Sequence, residues 1–142
     1  MAPLPIIPLT PREQRAIGSL NKWMLFAAIA HLLGGLGACG AGAAYLQGID
    51  VALEHNPPWA YASAVEWLAV VAIGLVMELE GVVALLARSS LSEISRRGHH
   101  DQALLETSVA RLSMFFVLEL VVLMLFILTS LAPAIYHLAY EA

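Results

Sequence analysis

Three apolar runs dominate this chain, at about residues 23–46, 65–87 and 112–131. Each is close to the roughly 20 residues that a helix needs to cross the hydrocarbon of a bilayer. Lipid offers a backbone no hydrogen-bond partner, so runs of this length are restricted to helix. Composition agrees: 60% of the residues are hydrophobic and 13% charged, with a mean hydropathy of +0.78. Soluble domains carry charge on about a quarter of their residues. The expected fold is all-α, an integral membrane protein with three transmembrane helices.

Two regions follow from the pattern. Residues 1–22 form an amino-terminal arm and interfacial helix, and residues 23–142 form the three-span membrane domain. The arm carries Pro3, Pro5, Pro8 and Pro11, each of which fixes φ and removes a backbone donor. Thr10, Pro11 and Glu13 then spell a capping box with proline at the first helical position. In the short helix that they open, Ile17 and Leu20 oppose Arg12, Arg15 and Lys22, a division suited to a membrane surface. Between the spans the sequence predicts a loop over 47–64, with the breaker pair Pro57-Pro58, and a polar segment over 88–111, broken at Gly98 and capped at Asp101.

Charge gives the orientation. The net value of −4 conceals a strict segregation, because all seven basic residues (Arg12, Arg15, Lys22, Arg88, Arg96, Arg97 and Arg111) fall on one side of a three-span arrangement. The positive-inside rule places the amino terminus on the inner side of a bacterial inner membrane or an organelle's inner membrane. No basic stripe interleaves with aromatics, so nucleic acid is not an expected partner. The single Cys39 excludes an intrachain disulfide and a multi-cysteine metal site.

The spans are not uniformly apolar. His31, Glu78, Glu80 and Glu119 each lie about eight to ten residues from the nearest basic boundary residue. At about 1.5 Å per residue they occupy one layer, roughly 12–15 Å deep. Intramembrane ionisable groups are candidates for ion or proton pathways. Glu66 sits near the opposite surface and reads as interfacial. In the first span Gly34, Gly35, Ala38 and Gly42 form a small-residue stripe, with Gly37 and Ala41 forming a second. Such spacing allows close helix approach, and Gly74 and Gly81 supply it on the second span. At about 100° per residue, Glu78 shares a face with Gly74 and Gly81, whereas Glu80 lies on another side with Glu66 and Ile73. The wheel sets His31 and Glu78 at helix contacts and leaves Glu80 and Glu119 needing partners from outside the chain.

These features define the expected function. The chain reads as a small integral subunit of a larger membrane complex, joined to other transmembrane subunits or to copies of itself. It mediates helix assembly and contributes His31, Glu78, Glu80 and Glu119 to a proton or cation pathway. The alternative is an electron-transfer subunit that holds a metal, haem or pigment through His31 and the intramembrane carboxylates. His99-His100 reads as solvated surface. No Glu-x-x-His pair, nucleophile elbow, phosphate loop or H-E-x-x-H element occurs, so no reaction and no particular cofactor follows from motifs.

Overall fold

Thr10 and Pro11 set the start of the first helix. The Thr10 amide donates to Glu13 Oε2 at 2.7 Å, and the Glu13 amide donates back to Thr10 Oγ1 at 3.3 Å. This reciprocal cap satisfies two donors that the first turn would otherwise leave bare. Helix α1 then runs Pro11–Leu53, α2 runs Pro58–Arg97 and α3 runs Gln102–Tyr140. The computed structural model describes the backbone of residues 8–53, 58–97 and 102–140, and the side chains of 8–48, 65–97 and 102–131. Among the described residues there is no β-strand. Each helix contains a stretch long and apolar enough to cross a membrane, which fits a multi-pass membrane protein.

The helices are longer than the apolar runs. They contain 43, 40 and 39 residues, about 60 Å each at 1.5 Å per residue, or twice the roughly 30 Å of bilayer hydrocarbon. Much of the expected 47–64 loop is therefore helix. α1 continues to Leu53 and α2 opens at Pro58, where a missing N–H leaves no hydrogen bond unmade. The polar segment 88–111 is also largely helical. Glu93 accepts from Arg96 at 2.9 and 3.0 Å and from Arg97 at 2.9 Å, pairs that hold the last turn of α2 together. α1 runs unbroken from Pro11 into its apolar stretch, and Ile17 and Leu20 pack on the bundle core. The arm over 1–7, Gly98, His99, His100 and Asp101 lie outside the described residues.

α2 is the central helix, antiparallel to both neighbours. Against α1 the approach is backbone to backbone. A Cβ on Gly35 would meet the Gly74 carbonyl oxygen at 2.7 Å, and one on Gly74 would meet Cys39 Sγ at 2.7 Å and the Gly35 carbonyl at 2.9 Å. Gly81 lies against Leu32 and the Ala28 carbonyl, and Gly42 against Val71 and the Trp67 carbonyl. Gly34 meets the movable end of Met77, and Ala38 is half-buried on the same side. Gly37 and Gly40 face open space. At one end of the bundle Met24, Ala28, Val83, Ala84, Ala87, Leu91 and Phe115 form a buried cluster. Tyr45 and Trp67 stack at the other, with ring centroids 4.5 Å apart.

Substitution at these glycines should separate the two stripes. Gly74→Ala forces the α1–α2 seam apart and should cost about 1–3 kcal/mol, as overpacking does. Gly37→Ala and Gly40→Ala enter open space and should be neutral or stabilising by up to about 1 kcal/mol through helix propensity. Reversible unfolding in detergent distinguishes these outcomes.

Candidate functional site

Among the described residues no backbone approach joins α1 to α3. Side chains make that connection, and they are ionisable. His31 leaves α1 toward the groove between α2 and α3. Its Nδ1 lies 2.7 Å from the carbonyl oxygen of Ala27, one turn back on its own helix. A carbonyl only accepts, so Nδ1 carries the hydrogen and donates it. The other ring nitrogen, Nε2, lies 3.0 Å from Glu119 Oε2 on α3 and 3.2 Å from Glu80 Oε2 on α2. Phe115, one turn before Glu119, packs edge-on against the imidazole, with centroids 5.5 Å apart at 78°. One backbone carbonyl and one aromatic ring thus fix the ring plane.

The two carboxylates have different surroundings. Glu119 is in line with Nε2 and makes a hydrogen bond to it, while 53% of its side chain stays exposed on the outer side of α3. Glu80 is fully buried. Its Oε2 is close to Nε2 but off the hydrogen-bond direction, so neither Glu80 oxygen has a hydrogen-bond partner. The three helices therefore surround a carboxylate without completing its hydrogen bonding. With Nδ1 committed to Ala27, the polar sites left to bind something are Nε2 and the carboxylate oxygens. The Nε2–Glu119 hydrogen bond needs a proton on one of its two ends; with that proton removed the trio carries two negative charges, which two protons or one divalent cation neutralise.

The structure brings three of the four sequence candidates together. His31, Glu80 and Glu119 converge, each from a different helix. Glu78 stands apart, half-buried against Gly35, with Oε1 lacking a hydrogen-bond partner. Glu66 is exposed. The expectation that Glu80 turns toward a missing chain is overturned by its burial within this one. The helical wheel separated it correctly from Glu78: at about 100° per residue it lies on the side of Val83, Ala84 and Ala87. That side is not unpartnered, however. α3 packs there, and Glu80 occupies the groove between both neighbours.

Some contacts had no signal in the sequence. Arg111 Nη1 donates to the Leu86 carbonyl at 2.7 Å, tying α3 to α2 just beyond the trio, while Ser90 Oγ turns back to the Ala87 carbonyl of its own helix at 3.0 Å. Cys39 donates to the Val71 carbonyl at 3.7 Å and takes no part in the site. The Phe115 contact was signalled by its spacing, one turn from Glu119 on the same face of α3. No protein-family model, curated protein or solved structure matches this chain.

His31→Leu leaves Glu80 buried with no basic neighbour and should cost about 3–5 kcal/mol, the usual penalty for breaking one side of a buried pair. Adding Glu80→Leu should recover most of that loss. Unfolding of the single and double variants in detergent measures the coupling, and purely additive effects would contradict it.

Proposed function

We propose that this chain is an integral membrane protein with three spans and its amino terminus on the inner side, acting as a small subunit of a larger membrane assembly. The seven basic residues lie toward one end of the antiparallel bundle, at the start of α1, the end of α2 and the start of α3. This end belongs on the inner side by the positive-inside rule.

The observation that carries the assembly reading is the exposure of Glu119. About eight residues beyond Arg111, or roughly 12 Å along α3, this side chain is at hydrocarbon depth with half its surface open. A charged acid in the middle of a span costs about 2.5–3.5 kcal/mol on insertion scales, and such groups face protein or water. Another transmembrane segment, from a different subunit or a second copy, covers the outer face of α3 there. A second reading, passage of a proton or cation, is favoured by the meeting of His31, Glu80 and Glu119 across three helices, with Glu78 against Gly35 on the α1–α2 seam.

Photo-crosslinkers at Phe116 and Leu120, which flank Glu119, should capture a partner chain in the native membrane, and native mass measurement in mild detergent should exceed one chain. A lone monomer with no crosslink at either position would remove the assembly reading. For the transport reading, Glu119→Gln should abolish ion movement in reconstituted vesicles without releasing the partner.

A further inference from the structure

Glu80 poses a problem that the protein does not solve with its own hydrogen bonds. Its side chain is 0% exposed and both oxygens lack a hydrogen-bond partner. A buried carboxylate in this condition is costly unless something else reaches it. The only basic group at the trio is His31 Nε2, already engaged by Glu119. The arrangement leaves room in its chemistry for a cation.

We propose that His31 Nε2, Glu80 and Glu119 bind one divalent transition-metal cation. One ligand atom from each residue lies within 4.8 Å of the others, and the two nitrogen–oxygen separations are 3.0 and 3.2 Å. Ligands at about 2.0–2.2 Å from a shared ion stand roughly 3–3.5 Å from one another, so small side-chain adjustments close the set. The imidazole is already arranged for this role. Its Nδ1–H is donated to the Ala27 carbonyl, the outer contact that metal-binding histidines usually make, and this fixes the tautomer with the lone pair on Nε2.

Charge balance gives an independent reason. A neutral imidazole, two carboxylates and a divalent ion sum to zero, so the loaded site has no net charge to place among apolar side chains. Donor chemistry narrows the metal. One nitrogen and carboxylate oxygens, without thiolate, suit zinc, iron(II) or manganese(II), whereas calcium takes six to eight oxygen ligands. Three protein ligands leave a coordination position open for one further small ligand. The site is complete within one chain and does not depend on the assembly reading.

The test uses tag-free full-length protein in detergent, loaded with Zn²⁺, freed of excess and analysed for metal. The expected result is one zinc per chain, and Co²⁺ in its place should give visible d–d absorption from a nitrogen- and oxygen-bound site. His31→Gln and Glu80→Gln should each weaken zinc binding by roughly tenfold or more, while Cys39→Ser and the double variant His99→Gln/His100→Gln retain it. Circular dichroism verifies that each variant is folded. Should the two buried variants misfold, Glu119→Gln, at a half-exposed position, carries the same expectation. Failure to bind zinc, binding unchanged in folded His31→Gln or Glu119→Gln, or binding lost with His99 and His100 would each overturn the site. Native mass and crosslinking are read separately, so a metal-free oligomer and a zinc-loaded monomer are distinct results.

Discussion

The burial of one carboxylate governs the half of this bundle nearer its basic residues. Glu80 lies where α1, α2 and α3 come nearest to a common interior, in a chain that otherwise fills its contacts with Ala, Gly, Val and Leu. Such a group cannot remain there without a basic or cationic neighbour, and the surrounding structure supplies one by fixing His31. The Ala27 carbonyl holds one ring nitrogen, Phe115 sets the ring plane, and Glu119 arrives from the third helix. The chain's most polar contact thus joins the outer helices, which among the described residues have no backbone approach of their own, and Phe115 adds an apolar link beside it.

Close packing makes this geometry possible. Gly35 and Gly74 let α1 and α2 approach until backbone touches backbone, and that approach brings a histidine on α1 within reach of an acid near the flank of α2. A seam of leucines would hold the helices farther apart, and interaxial distance follows the side chains at the contact. The small residues and the ionisable trio are therefore parts of one arrangement. The first sets the spacing and the second occupies the groove that it creates.

Much of this was legible in the sequence, for definite physical reasons. The apolar runs at 23–46, 65–87 and 112–131 all lie within helices, and the capping residues Thr10 and Glu13 sit at a helix start. The shared depth of His31, Glu80 and Glu119 follows from counting residues along antiparallel helices. Other features were hidden because a single helix does not encode where its neighbours stand. The wheel separated Glu78 from Glu80 but could not say which side faced α3. Nor could spacing alone tell that Gly42 meets α2 while Gly37 and Gly40 face open space. Helix ends were underestimated because hydropathy marks where a segment stops being apolar, whereas helix persists as long as caps and ion pairs such as Glu93 with Arg96 and Arg97 support it.

The arrangement with α2 in the middle has a consequence for the order in which the chain is assembled. Among the described residues every backbone approach joins sequence neighbours, so the glycine seam of α1 and α2 is a hairpin contact that does not need α3. In that hairpin His31 and Glu80 already face each other across one open side. α3 then closes this side, bringing Phe115 over the imidazole and Glu119 to its free nitrogen. The docking of the last helix is thus selected by chemistry left unfinished by the first two, and a wrong rotational setting of α3 would leave Glu80 uncovered.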